Sequence, residues 1–210
     1  AATWKKVTAC EVQEAYGLTE TSPAVSFNPY HDIRLGTIGK ALPGTQVKVI
    51  GTDGSDLGFN QEGELCVKGP QVMAGYWQLP EATAAVLGAD GWFKTGDVAI
   101  LAEDGFIRLV DRMKDMIIVS GFNVYPNEID DIASQHSGIL ECAAVGIPNE
   151  VSGETVKLFV VKSDPGLTEA DVIAHCRENL TAYKVPKEVE FKDELPKTNV
   201  GKILRRALRD

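Results

Sequence analysis

Two short groups of residues in this chain could act on a polar ligand. Thr95-Gly96-Asp97 places a carboxylate after a glycine in a turn, where its two oxygens could accept hydrogen bonds from ligand hydroxyls. Lys202 follows Gly201 beside a basic tail, as a compact charge on a flexible stem suited to a phosphate or a carboxylate. Each also has an ordinary reading: a plain turn in the first case, a solvated lysine in the second. Neither Gly201-Lys202 nor Gly39-Lys40 is a Walker motif, because no Gly stands five positions before the Gly of either pair and no Ser or Thr follows the Lys. The tail gathers Lys197, Lys202, Arg205, Arg206 and Arg209. That cluster could meet a phosphate, a carboxylate or an anionic membrane, or form the solvated basic end of a helix.

The whole chain narrows these choices. With 210 residues and 44% apolar content it can build one or two cores and should fold. A formal net charge of -9 argues against nucleic acid as a partner, since such binding draws its affinity from neutralised phosphates. Cys10, Cys66, Cys142 and Cys176 are widely spaced, with no CxxC pair and no clustered His, so neither a zinc site nor a disulfide framework is expected. A reducing cytoplasm fits. No run of eighteen apolar residues and no basic-then-apolar leader is present, which leaves peripheral contact at the inner face of the cytoplasmic membrane open. The chain opens on Ala1 rather than Met, as a piece of a longer protein would.

The elements that must carry these residues fall into two textures. Between about residues 36 and 110, alternating apolar runs at 46–50, 64–68 and 106–110 predict short strands. The pairs Asp53-Gly54, Asp90-Gly91 and Asp104-Gly105 predict turns between them. After residue 114 strands alternate with helices: an apolar run at 116–119, a helix over 127–135 with Pro126 in its first turn and Gly138 beyond it, and strands at 141–147 and 155–162. Thr168 with Asp171 predicts a capping box opening a helix that runs to Leu180. The charged run Asp111-Arg112-Met113-Lys114-Asp115 lies between the textures as an exposed connector.

Order and spacing carry more than any single motif. Tyr16-Gly17-Leu18-Thr19-Glu20 is followed by Gly63-Glu64-Leu65 with Gly69 and Gly75-Tyr76, then by Gly91-Trp92-Phe93-Lys94-Thr95-Gly96-Asp97. Downstream come Asp111 to Asp115, then Ser120-Gly121-Phe122-Asn123-Val124-Tyr125-Pro126-Asn127-Glu128-Ile129, and finally Pro196-Lys197-Thr198-Asn199-Val200-Gly201-Lys202-Ile203. This series resembles the adenylate-forming superfamily over nearly the whole chain. Within it, residues 90–114 are similar to fatty acyl-CoA synthetases, and residues 119–130 and 183–209 to long-chain bacterial members. Aryl- and medium-chain acyl-CoA ligases and peptide-synthetase adenylation domains share the motif order. A non-catalytic nucleotide-binding module is the alternative of another class.

The resemblance implies an α+β chain in two domains: residues 1–113 as the β-rich end of a large N-terminal adenylation domain, and 114–210 as a small mobile C-terminal lid. It implies an AMP-forming ligase in which a fatty acid, ATP and CoA are substrates and Mg²⁺ is a cofactor. Tyr16 and Gly17 would lie along adenine, Thr19 would bond the α-phosphate, and Glu20 would hold Mg²⁺, a hard cation that favours carboxylate and phosphate oxygens. Asp97 would accept both ribose hydroxyls. Arg112 would reach the nucleotide, its ordinary alternative being an ion pair with Asp111 or Asp115. Lys202 would bridge carboxylate and phosphate, Lys114 would be the hinge, and Gly121 would let backbone approach the pantetheine arm. The family's glycine-rich phosphate loop and acyl tunnel lie upstream of the tyrosine motif. Without them the 210 residues alone are expected to be inactive and to self-associate, a homodimer included, through uncovered surface.

Overall fold

A computed structural model describes residues 1–209. The chain divides into two units, Ala1–Met113 and Lys114–Asp210, each with its own apolar core. The first begins with helix α1 (Ala2–Thr8), which buries no side chain. Three two-residue strands, β1 (Ala15–Tyr16), β2 (Ser26–Phe27) and β3 (Lys40–Ala41), then form a small antiparallel sheet.

The larger sheet of this unit is an antiparallel meander of β4 (Gln46–Ile50), β5 (Glu62–Lys68), β6 (Phe93–Leu101) and β7 (Ile107–Arg112), with helix α2 (Pro80–Val86) between β5 and β6. Successive strand side chains point to opposite faces, so residues two apart share one face. Leu65 and Val67 of β5, Ala99 and Leu101 of β6, Val49 and Ile107 follow this rule and bury together with Val25 and Ile38. The three expected Asp-Gly pairs fall in turns or bends.

The second unit runs from β8 (Ile117–Val119) and β9 (Phe122–Val124) through α3 (Pro126–Ala133), β10 (Ile139–Asn149), β11 (Gly153–Lys162), α4 (Glu169–Asn179) and β12 (Glu188–Phe191). The sheet order is β10-β11-β8-β9, and β12 pairs in parallel with β11. Strand β11 is apolar on both faces because both are covered. Val156, Leu158 and Val160 pack with Ile129, Ala133, Val172 and Cys176 of α3 and α4. Phe159 and Val161 pack on the other side with Leu195, Ile203 and Leu208 of the C-terminal segment. Burying a side chain such as Leu158 contributes about 1.5–3 kcal/mol.

Local signals explain the helix starts. Pro126 occupies the first turn of α3, where its missing N–H costs nothing. At α4 the Thr168 hydroxyl accepts the Asp171 N–H at 3.3 Å while the Asp171 carboxylate accepts the Thr168 N–H at 3.0 Å. The class is α+β, as expected. One expectation fails: residues 111–115 are not an exposed connector. Strand β7 stays paired with β6 as far as Arg112, Met113–Asp115 closes into a 3₁₀ turn, and Asp111 and Asp115 are buried. The physical reason is satisfaction of the two carboxylates, since Asp111 accepts the Arg112 N–H at 2.7 Å and Asp115 accepts Arg209 at 3.2 Å. No helix among the described residues is long and apolar enough to cross a membrane.

Candidate active site

In the first unit the site is built on the turn after β1. A Cβ on Gly17 would lie 1.5 Å from the Pro23 carbonyl oxygen, so no side chain fits there. The chain then closes a 3₁₀ turn, Thr19–Thr21. Buried Thr21 fixes it: its hydroxyl oxygen accepts the Leu18 N–H at 2.9 Å and lies 3.0 Å from the Leu18 carbonyl oxygen. This leaves Thr19 exposed and Glu20 half-buried.

Strand β6 delivers Asp97. The Thr95 hydroxyl donates to the Leu65 carbonyl at 2.8 Å and accepts the Asp97 N–H at 3.1 Å, and the Gly96 N–H reaches Glu64 Oε1 at 3.1 Å. The Tyr16 hydroxyl donates to Asp97 Oδ2. Burial, then that hydrogen bond, push the Tyr16 phenol far above the ordinary tyrosine range. Arg112 stands opposite Asp97 in the β6–β7 register, with its Nε 3.8 Å from Asp97 Oδ1. Because the Arg112 side chain is 57% exposed, solvent screens this pair and it adds little stability. Tyr16, Asp97 and Arg112 thus converge, and Arg112 turns to Asp97 while Asp115 engages Arg209.

Glu20 has partners that its motif did not announce. Its Oε1 accepts the Tyr76 hydroxyl at 2.9 Å, and its backbone carbonyl accepts the Met73 N–H at 2.8 Å. Gly75-Tyr76 belongs to the motif series, yet nothing in the sequence assigned Tyr76 a task. Oε2 of Glu20 carries no hydrogen bond among the described residues. Nor do three His, Cys, Asp or Glu gather there into a metal cage. One open carboxylate oxygen without imidazole or thiolate suits a hard cation shared with phosphate oxygens rather than zinc. An open groove of about 670 Å³ runs along α2, lined by residues including Tyr76, Leu79, Thr83 and Leu87, and contains none of Tyr16, Thr19, Asp97 or Arg112.

The second unit carries Lys114, Gly121 and Lys202. Lys114 is exposed in the Met113–Asp115 turn, and its carbonyl accepts Arg209 at 3.2 Å. Ser120 and Gly121 form the two-residue loop between β8 and β9, with φ of 51° and 83°. Positive φ at both positions matches the strand twist of a tight hairpin. A Cβ on Gly121 would meet nothing within 4 Å, so the backbone there is open to approach. Lys202 sits on an exposed turn in which the Thr198 N–H bonds the Lys202 carbonyl at 2.7 Å and Lys197 bridges Ile203.

The basic tail differs from the expectation of a free cationic cluster. Lys197 pairs with Glu141 at 2.6 Å, Arg205 with Asp130, and Arg209 with Asp115, all within the same unit. Burial of Leu195 and Leu208 draws the segment onto the sheet and within reach of these acids. Only the side chains of Lys202 and Arg206 among the five have no ion pair or hydrogen bond among the described residues.

The first unit thus carries a glycine-closed turn bearing Thr19 and Glu20 and an aspartate flanked by a tyrosine and an arginine, and the second carries a lysine on a tethered C-terminal loop. Comparison with known proteins places the chain in a family. Residues 1–77 match the AMP-binding enzyme family model and residues 128–202 match the AMP-binding enzyme C-terminal domain. The chain belongs to this family and corresponds to the C-terminal portion of its longer members.

It is 59% identical over 208 residues to a long-chain-fatty-acid–CoA ligase of Salmonella typhimurium, covering 99% of this chain and 37% of that protein. A long-chain-fatty-acid–CoA ligase of Bacillus subtilis is 45% identical, over 98% of this chain and 37% of its own length. The crystal structure of ATP-bound MatB from Rhodopseudomonas palustris superposes with a TM-score of 0.92 at 38% identity, covering 99% of this chain and 42% of that one. The chain therefore spans little more than a third of the curated relatives it matches.

Proposed function

We propose that this chain is the C-terminal portion of an ATP-dependent, AMP-forming long-chain fatty acid–CoA ligase. The observation that carries the reading is the cluster of Tyr16, Asp97 and Arg112, which brings a ring, a two-oxygen acceptor and a cation together and so supports a nucleoside site. Its 59% identity to a long-chain ligase supports the acyl class. Tyr16 and Gly17 line the adenine, Asp97 accepts the ribose hydroxyls in place of the Tyr16 phenol, and Arg112 adds donors to the nucleotide. Thr19 donates to an α-phosphate oxygen, and Glu20 offers its open oxygen to Mg²⁺. When bound, Mg²⁺ would neutralise charge on the phosphates.

In the first step a fatty carboxylate oxygen attacks the α-phosphorus and pyrophosphate leaves, giving acyl-AMP. In the second the CoA thiol, losing its proton, attacks the acyl carbon and AMP leaves. The Lys202 ammonium, which has no carboxylate partner among the described residues, stabilises the charge that gathers as carboxylate and phosphate approach in the first step. The open backbone at Gly121 serves the pantetheine arm in the second, with Lys114 as the residue about which the lid domain, residues 114–210, turns. The buried free thiols fit a reducing cytoplasm, and Lys202 and Arg206, unpaired among the described residues, are what a peripheral membrane contact would use. Exposed Tyr30, Trp77 and Leu79 give the residues 1–113 domain apolar surface for association.

The test is AMP release from ATP, Mg²⁺, CoA and acids of increasing chain length by the full-length protein, by its Lys202→Ala variant and by residues 1–210 alone. Turnover favouring long acids, lost with Lys202 and absent from the 210-residue piece, is the expected result. Full activity of Lys202→Ala, or no turnover of any acid by the full-length protein, overturns the reading.

A further inference from the structure

The motif series contains a tyrosine to which the nucleotide reading gives no role. Tyr76 ends the Gly75-Tyr76 pair in the loop after β5, and its hydroxyl donates to Glu20 Oε1 at 2.9 Å. The same loop grips the Glu20 region elsewhere: the Met73 N–H bonds the Glu20 carbonyl at 2.8 Å, and the Gln71 amide reaches the Ala24 carbonyl at 3.2 Å and Thr45 Oγ1 at 2.7 Å. Helix α2 holds the loop in turn. The Thr83 hydroxyl accepts the Tyr76 N–H at 2.9 Å and donates to the Leu79 carbonyl at 2.9 Å. Gly75 has a φ of 150°, and a Cβ there would lie 2.9 Å from the Thr83 methyl. A chain of contacts therefore runs from α2 through Thr83 to the Tyr76 backbone, and through the Tyr76 ring to one oxygen of Glu20.

We propose that Tyr76 is a positioning residue that holds the Glu20 carboxylate with one oxygen occupied and the other open to a divalent cation. The inference rests on the reading of Glu20 as the carboxylate that meets the cation. A glutamate side chain loses rotamer freedom when it binds, and a partner that restricts it beforehand removes part of that cost. Donation to Oε1 also leaves Oε2 as the monodentate oxygen, which is the role a cation already shared with phosphate oxygens needs. Outer partners that orient metal ligands in this way are worth about 10–100-fold in metal affinity.

The experiment uses full-length protein with a non-hydrolysable ATP analogue and Mn²⁺ as the probe, free Mn²⁺ being read by its electron paramagnetic resonance signal. Tyr76→Phe keeps the ring and removes only the donor. It should raise the Mn²⁺ dissociation constant by about 10-fold, leave metal-free nucleotide affinity within twofold, and raise the Mg²⁺ needed for half-maximal activity without lowering the rate at saturating Mg²⁺. Thr83→Ala should act in the same direction by a smaller factor. Glu20→Gln is the control. If it leaves Mn²⁺ affinity unchanged, Glu20 is not the cation's carboxylate and both readings fall. If Glu20→Gln weakens Mn²⁺ while Tyr76→Phe stays within twofold of the parent, only the positioning role is refuted. Equal weakening of Mn²⁺ and of metal-free nucleotide by Tyr76→Phe also overturns it, because Tyr76 would then shape the nucleotide site as a whole.

Discussion

Replacing Arg205 by Met should loosen the segment that carries Lys202. The Arg205 guanidinium donates to Asp130 Oδ2 and, at 2.8 Å, to Asn127 Oδ1, so it ties the C-terminal segment to α3. Both charges are largely withdrawn from water, at 18% exposure for the Arg205 side chain and 17% for Asp130. Removing one partner of a buried pair costs about 3–5 kcal/mol, because the other charge stays behind without compensation. Asp130 keeps the Ala144 N–H at 2.7 Å and some solvent, so the figure falls to about 2–3 kcal/mol. For a unit of this size that lowers its melting temperature by about 10–20 °C. Urea unfolding followed by circular dichroism measures the loss. Amide hydrogen exchange locates it, with protection expected to fall in α3 and in residues 196–208. A double-mutant cycle with Asp130→Asn should give a coupling of at least about 1.5 kcal/mol. A single-mutant loss below about 0.5 kcal/mol, or a coupling near zero, would refute the reasoning and reduce the contact to an ordinary surface pair.

The thiols and one phenol supply two further tests. Burial raises the Cys66 and Cys176 thiols to about 11 and Cys142 to about 12, whereas Cys10 is exposed. Since the thiolate is the reactive form, iodoacetamide at pH 8 should modify only Cys10 in the native chain and all four cysteines in urea; fast native labelling of Cys142 would contradict the packing of the second unit. Tyr16 is held protonated in the folded state, first by burial and then by its bond to Asp97, so its folded pKa lies above the unfolded value. Its stabilising contribution is fully present below about pH 10 and is lost as pH rises beyond that. The urea midpoint should fall between pH 10 and 11.5 more steeply for the parent than for Tyr16→Phe, and equal slopes would show that Tyr16 is not the group concerned.

Much of the scaffold could be read from local chemistry. The capping box at Thr168 and Asp171, Pro126 at the start of α3 and the alternating runs of β4 and β5 act over a few residues, so their signals survive in one dimension. Strand β7 runs past the apolar residues 106–110 to Arg112, because its extent is set by pairing with β6 through the Asp97–Arg112 register and not by its own apolar run. That non-local pairing also turned the expected connector into a strand end with two buried acids. Of the candidate residues, Tyr16, Asp97 and Arg112 meet across separations that no window of sequence spans. The Tyr76–Glu20 bond joins residues 56 positions apart, and the tail pairs reach from Lys197 back to Glu141 and from Arg209 back to Asp115. A count of basic residues cannot show which of them are already neutralised.

The candidate residues of the two units differ in a way that bears on their use. In the first the acids are already engaged: Asp97 holds Tyr16 and faces Arg112, and Glu20 holds Tyr76, while Thr19 is exposed. On the proposed function, a ligand there would exchange one hydrogen bond for another within a fixed frame, so that binding requires little reorganisation. Those of the second stand on exposed loops, Lys202 with an ammonium unpaired among the described residues and Gly121 with open space about it, while the segment behind Lys202 is fastened by Lys197–Glu141 and Arg205–Asp130. A charge that must stabilise a transient anion is best left unpaired on a firmly anchored loop, because any resident carboxylate would have to be displaced before it could act. One unit thus presents acids already held in place and the other a lysine and a glycine on exposed loops, a division that suits the proposed two-step reaction, which must first bind and then rearrange an adenylate.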